Sequence, residues 1–230
     1  MFKDKVSIVI PCKNEEKTIG EIIAKCKQYS EDIIVIDGHS EDGTTEIAKS
    51  MNVRVYTDNR KGKGDALRVG ISKALKEIIV FIDSDCSHDP GEIPRLVEPI
   101  IKGNADHVTG SRMRGGSDEL HGDIGKFIRM VGSDIITLGI NYRFGVRLTD
   151  SQNGFRAIRR DAALSLDLKE NITTIEQEMI IKTLRKGYRM AEVASHEYER
   201  KYGNSTIKMR KVWFRYVYSW LKYLIIGGKS

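Results

Sequence analysis

Apolar and polar positions alternate in blocks along the first half of the chain. Short apolar runs at 6–10, 33–36, 53–56, 78–82 and 107–109 predict strands, and the intervening stretches 15–29, 43–50, 64–75 and 90–102 carry helical periodicity and helix-forming residues. This βαβα rhythm predicts an α/β fold with a largely parallel sheet covered on both faces, its right-handed crossovers completing a Rossmann-like half. After Gly110 the rhythm stops. A polar, glycine-bearing stretch at 115–119 reads as a loop that closes over a ligand. A helix over 123–140 follows, with Lys126, Arg129, Ser133 and Thr137 on one face. A strand at 155–158, a helix over 175–186 and strands at 190–193 and 197–198 complete the pattern. No repeat, low-complexity tract or linker interrupts it, so one domain is expected over 1–206, followed by an amphipathic basic helix at 207–230.

Composition adds a class and a compartment. With 40% hydrophobic and 30% charged residues, 230 residues suffice for one full-sized core. The three cysteines, Cys12, Cys26 and Cys86, have neither disulfide nor zinc spacing and point to a reducing setting. The first residues lack the apolar run of a secretory leader, so the expected location is cytoplasmic. Net charge is +6, yet residues 200–230 hold eight Lys or Arg and no acid, which leaves the rest of the chain slightly acidic. A basic end meets either nucleic acid or an anionic membrane. Here Lys208, Lys211, Arg215, Ser219 and Lys222 make one narrow polar stripe, and Trp213, Phe214, Trp220, Leu221 and Leu224 help fill the remainder. That texture favours a helix lying in a membrane interface over a nucleic-acid reader, and so a chain associated peripherally with the cytoplasmic face of a membrane. Packing of this helix on its own domain and contact within a homo-oligomer are the alternatives, and Arg215 with Lys222 makes it a poor membrane span.

The candidate chemistry clusters where predicted strands end. The run 77–85 is an apolar strand that terminates in Asp83-Ser84-Asp85. Carboxylates two residues apart on an extended segment point to the same side. They repel unless a cation lies between them or one is protonated, and Mg²⁺ or Mn²⁺ shared with phosphate oxygens resolves the conflict. The bland alternative is a solvated turn. Pro11-Cys12-Lys13-Asn14-Glu15 follows the first strand, and Asp37-Gly38-His39-Ser40-Glu41-Asp42-Gly43-Thr44 follows the second. Ends of this kind line a nucleotide crevice in a parallel sheet. Asp37 suits a base or ribose, whereas Asp42 suits a helix N-cap. The loop Arg60-Lys61-Gly62-Lys63-Gly64 is cationic and glycine-bearing, fit for an anion but lacking the P-loop pattern. His39, His88 and His121 have no ligand spacing and are expected at the surface or in turns.

Together these pieces resemble family 2 glycosyltransferases of the GT-A fold. Gly110-Ser111-Arg112, Arg129, the run 150–156, Glu176-Gln177-Glu178 and the run 198–205 are similar to the dolichyl-phosphate mannose synthase branch. The resemblance implies that Pro11, Glu15 and Asp37 surround the base and ribose. It implies that Lys63, Asp83 and Ser84 contact the donor and that Asp85, with Asp83, holds Mg²⁺ or Mn²⁺ on the diphosphate. Arg112, Arg129, Ser133 and Arg200 match positions that engage an acceptor phosphate, and Glu178 an acidic position of the acceptor side. The partners so implied are a nucleotide sugar of GDP-mannose or UDP-hexose type, a polyprenyl phosphate and, where one exists, a membrane-anchoring subunit.

Three departures stand out. The metal motif reads Asp83-Ser84-Asp85-Cys86-Ser87, with a short hydroxyl where the family carries Gln. Gly38 replaces a second acid, and Thr206 replaces a Lys. Because a phosphate monoester is largely ionised at neutral pH, it attacks without a general base and needs arginines to hold it. A family 2 enzyme acting on a hydroxyl would instead need a base, for which Asp150 and Glu178 are the candidates.

Overall fold

Seven strands form one sheet in the order β3-β2-β1-β4-β6-β5-β7: β1 (Val6–Cys12), β2 (Asp32–Asp37), β3 (Arg54–Thr57), β4 (Ile78–Phe81), β5 (His107–Ser111), β6 (Arg156–Arg159) and β7 (Met190–Ala194). The structure, a computed structural model, describes residues 2–118, 124–202 and 209–226. Side chains are described from 130 onward in the helix that begins at 124 and from 213 to 225 at the C-terminal end. Strands β1 to β4 pair in parallel, as the alternating rhythm predicts. The correction lies in β6, which runs antiparallel to both neighbours and closes the gap between β4 and β5. Its short Arg-Ala-Ile-Arg sequence carries no mark of direction, because the pattern of a single strand reads alike in either sense.

Side chains of β1 alternate between two cores. Ile8 and Ile10 join Ile19, Ile22 and Ile23 of α1 (Ile19–Cys26) and Ile93, Leu96 and Val97 of the helix 93–101 on one face. Val9 joins Leu67 and Ile71 of the helix 63–73 and Met179 of the helix 175–185 on the other. In chain order the remaining helices are α2 (Thr44–Ser50), α3 (Lys63–Lys73), α4 (Ile93–Ile101), α5 (Arg112–Gly115), α6 (Ile124–Phe144), α7 (Arg160–Ser165), α8 (Ile175–Arg185) and α9 (Met209–Leu221), the last extended by a wider turn over Lys222–Ile226.

A third cluster ties α9 to the body: Tyr223 and Leu224 pack with Ile136 and Ile140 of α6 and with Ile180 and Ile181 of α8. Trp220 rests on Gly139, where an added Cβ would overlap its ring. Of the predicted polar stripe Arg215 is exposed, Lys222 half-buried and Ser219 buried, the side chain of Lys211 lies outside the described residues, and Trp213, Phe214, Tyr218 and Ile225 are exposed as well. Lys208 lies outside the described residues.

Two further boundaries differ from the sequence reading. The helix expected from residue 15 starts at Ile19, because Glu15 to Thr18 form a turn in which Thr18 Oγ1 donates to Glu15 Oε2 at 2.8 Å. Residues 197–198 form no strand; Glu197 makes one isolated bridge with Ser117.

Candidate active site

An open cleft of about 1230 Å³ lies at the carboxyl ends of β1, β2 and β4, and Pro11, Glu15, Asp37, Lys63, Asp83, Ser84, Asp85 and Arg200 all border it. Its floor follows from strand register. Cys12 pairs with Asp37 across β1 and β2, and β4 stops at Phe81, so three strand ends deliver their polar residues to one side of the sheet. Asp37 is held by Ser40, whose backbone N donates at 3.1 Å and whose Oγ donates at 2.6 Å. Thr44 N donates to Asp42 Oδ1 at 3.1 Å in a turn ahead of the helix 44–50, whose N-cap is Gly43, one residue beyond the Asp42 expected from sequence. Burial raises the Glu15 carboxyl above its ordinary range, and Asp85 and Asp83 add to the rise against the pull of Thr18 and Arg200.

Asp83 and Asp85 have separate partners. Lys63 Nζ lies 2.8 Å from Asp83 Oδ1 and 2.9 Å from Glu176 Oε1. Burial works against the charge on Lys63, but Asp83 and Glu176 outweigh it and hold the ammonium well above its usual range. Asp83 responds in the opposite sense: burial opposes its ionisation, Lys63 favours it, and the result is a lowered carboxyl. Gly154 makes this triad possible. A Cβ there would sit 2.9 Å from Lys63 Nζ and 3.1 Å from Asp83 Oδ2.

Asp85 Oδ1 accepts from Ser87 Oγ at 2.6 Å, and Asp85 Oδ2 faces Arg200 Nη2 at 3.1 Å. Tyr198 N donates to Ser87 O at 2.8 Å, and this contact brings the Arg200 segment to the loop after β4. His88, expected at the surface, is buried: Nδ1 contacts Ser87 Oγ at 3.2 Å and the ring packs on Phe155. Burial lowers its pKa against the opposing pull of Asp83, Glu197 and Asp85. His39 has a turn role, with Nε2 at 2.9 Å from Asp58 O, and His121 lies outside the described residues.

The other expected site residues divide. Arg112 is buried behind the cleft, where its guanidinium grips Asp150 in two places, Nε to Oδ2 at 2.6 Å and Nη2 to Oδ1 at 3.0 Å. Burial opposes both charges; Asp150 more than compensates for Arg112, and Arg112 for Asp150, so both stay ionised. Ser133 is half-buried on the face of α6 that carries Thr137, whose Oγ1 lies 2.8 Å from Ser151 Oγ, next to Asp150. The side chain of Arg129 lies outside the described residues.

Glu178 requires a correction. It is fully buried away from the cleft, accepting from Lys169 N at 2.8 Å, Glu170 N at 2.8 Å and Lys182 Nζ at 2.7 Å. Two residues along a helix is a rotation of about 200°, so when Glu176 faces Lys63, Glu178 must face away. Glu176, read from the sequence only as part of the run 176–178, is the acid that reaches the cleft side, paired with Lys63. Of the glycine-bearing loop expected at 115–119, Gly115 ends the short helix 112–115, Ser117 Oγ donates to Glu197 Oε2 at 2.6 Å, and 119 lies outside the described residues.

The family model described as "Glycosyl transferase family 2" matches residues 7–166. The chain belongs to that family. An uncharacterized protein of Methanocaldococcus jannaschii is 34% identical to this family 2 chain, over 94% of it and 92% of the relative. A dolichyl-phosphate hexose transferase of Haloferax volcanii is 26% identical, over 83% of the chain and 81% of that protein. Among solved structures, glucosyl-3-phosphoglycerate synthase of Mycobacterium tuberculosis, crystallised with Mg²⁺ and UDP, superposes with a TM-score of 0.76 at 22% identity, covering 97% of the chain and 80% of its own. That likeness identifies the sheet as the GT-A fold.

Proposed function

We propose that this family 2 transferase moves one hexose from a nucleotide sugar to a polyprenyl phosphate at an anionic membrane surface. The observation that carries the reading is Arg200 against Asp85 at 3.1 Å in the wall of an acid-rich cleft. It sets a guanidinium beside the carboxylate expected to serve the diphosphate, which is where an anionic attacker needs a cation. The Haloferax volcanii relative is named for a dolichyl-phosphate acceptor, which supports the same class.

Asp83 and Asp85 border the cleft side by side and offer it hard carboxylate oxygens. This fits Mg²⁺ or Mn²⁺ held through one or two carboxylates, with phosphate and water as the other ligands. Such an ion supplies charge stabilisation on the departing diphosphate. Lys63 keeps Asp83 ionised and oriented toward the donor, and Asp37 and Glu15 border the space for ribose and base. Arg200 holds the acceptor phosphate in line with the anomeric carbon, and attack from the side opposite the diphosphate inverts that centre.

The hydroxyl-acceptor alternative finds less support. Asp150 is tied to Arg112 with a lowered carboxyl, and Glu178 is spent on backbone amides and Lys182, so neither suits a general base. Among the described residues no helix is long and apolar enough to cross a membrane. The exposed aromatic residues of α9 and the exposed Ile135, Leu138 and Tyr142 of α6 suit a lipid surface instead.

A panel of nucleotide sugars incubated with Mn²⁺ and either a short polyprenyl phosphate or the matching free prenol, read by mass spectrometry, tests the reading. One hexosyl product is expected with the phosphate and none with the alcohol; equal use of the alcohol overturns it. Asp85→Ala should lower the rate by a hundredfold or more, on the order expected for losing metal-assisted charge stabilisation.

A further inference from the structure

Residues 169–174 lie between the loop that carries Lys63 and the C-terminal helix. On the loop side, Gly64 N donates to Asn171 O at 2.9 Å. A Cβ on Gly64 would overlap the Glu170 carbonyl oxygen, and one on Gly62 would come 2.8 Å from Asn171 O. Arg68 adds two bonds, Nη2 to Asn171 Oδ1 at 2.5 Å and Nη1 to Glu170 O. The backbone that presents Lys63 is thus pressed directly on residues 170 and 171. A shift in that support moves the lysine with it.

On the opposite side, the same segment is gripped from two helices. The Glu178 carboxylate of α8 accepts the amides of Lys169 and Glu170. The Glu170 carboxylate accepts from Thr174 Oγ1 at 2.7 Å and from Tyr223 Oη at 3.1 Å, with Lys222 Nζ at 3.6 Å. Tyr216 adds a hydroxyl contact to Thr173, a residue that borders the cleft.

We propose that Glu170 and Glu178 are positioning residues for the donor site: Tyr223 of the C-terminal element fixes Glu170, Glu170 and Glu178 fix the support under Gly62 and Gly64, and this support sets Lys63 against Asp83. The inference rests on reading the cleft as the donor site. It makes the C-terminal element part of that site's framework, although none of its described residues borders the cleft. Removal of one tyrosine hydroxyl leaves the packing of Trp220 and Leu224 in place, so Tyr223→Phe cuts only the polar contacts of that hydroxyl, to Glu170, Glu178 and Lys222.

The experiment is calorimetric titration of the full chain with UDP and with GDP, each with Mn²⁺. It is run on the unaltered protein, Tyr223→Phe, Glu170→Gln, Lys63→Met and the two doubles with Lys63→Met, with Lys63→Gln as a second background should the Met variant fail to fold. Tyr223→Phe and Glu170→Gln should each weaken nucleotide binding about fivefold to tenfold, the scale of one ordinary hydrogen bond. Their melting midpoints should stay within about 6 °C of the unaltered chain, so both remain folded at 25 °C. Neither should weaken binding further once Lys63 is replaced, because contributions acting through one residue are not additive. Unchanged nucleotide binding in both single variants, or full additivity with the Lys63 variant, overturns the inference while leaving the donor reading intact. If the unaltered chain binds neither nucleotide, the donor reading falls and the inference falls with it.

Discussion

Gly154 shows how a single residue's lack of a side chain organises charge. Its φ is not among the positive ones, so conformational freedom is not the reason for glycine here. Space is the reason, since a Cβ would stand 2.9 Å from Lys63 Nζ and 3.3 Å from Glu176 Oε1. Gly154→Ala requires the Lys63 ammonium to move by a few tenths of an ångström, which disturbs its pairing with Asp83 and Glu176. We expect kcat/KM to drop at least tenfold, a loss of about 1.4 kcal/mol in transition-state stabilisation, with a far-UV spectrum like that of the unaltered chain. Steady-state kinetics with varied donor measures it, and an unchanged kcat/KM would mean that the triad has room to spare. At this scale the sequence was partly legible. Asp37, Asp83 and Asp85 could be placed because strand ends in parallel sheets gather on one side. Glu176 could not be told from Glu178, because the helix's rotation depends on contacts with Gly154 and Lys63 that lie far away in the chain.

At the level of elements, buried strands announced themselves by apolar runs, and the predicted helices appeared wherever one apolar face met the sheet. Direction and length were harder to read. Strand β6 reverses because the connection from α6 returns the chain at the far end of β4, which no local pattern encodes. Helix α9 was read as basic and amphipathic, yet its orientation is set by Tyr223 and Leu224 docking on α6 and α8. That docking leaves Trp213 57% and Phe214 63% exposed, on a helix whose sequence surroundings are basic. Large exposed aromatics beside cations are costly in water and favourable at an anionic lipid surface. Replacing Trp213 and Phe214 together by Ser should reduce binding to vesicles containing anionic lipid by roughly tenfold or more per aromatic, since burying such a side chain contributes about 1.5–3 kcal/mol. Flotation with the soluble donor reaction as a control checks this. Retained vesicle binding would move the lipid contact elsewhere, with the exposed residues of α6 the next place to look.

The whole molecule keeps several titratable groups out of water, and their pKa directions give its stability a shape with pH. Burial, reinforced by the neighbouring Arg156, pushes His107 well below its ordinary value, and burial lowers His88 as well. An unfolded histidine takes up a proton near pH 6.5. Between that value and the lower folded one, the unfolded chain binds protons that the folded chain refuses, so this stabilisation is complete above about pH 6.5 and is lost as pH falls below it. The loss approaches about 1.4 kcal/mol per pH unit for each histidine. Asp83 and Asp150 have lowered carboxyls, so their stabilisation is present above the unfolded carboxylate range and disappears only as pH falls through their folded values. Two windows should therefore separate in a thermal scan. From pH 7 to pH 5 the midpoint should fall by roughly 10 °C, at about 2–4 °C per kcal/mol for a chain of this size, and a second, steeper fall should follow below about pH 4. His107 Nδ1 lies 3.0 Å from Thr183 Oγ1, a contact that a Gln side chain can keep without a titrating ring. His107→Gln should accordingly flatten the first window by about half and leave the acid window in place. A first window of unchanged slope in that variant would assign the neutral-range loss to His88, and would remove His107 from the account of how the core resists protonation.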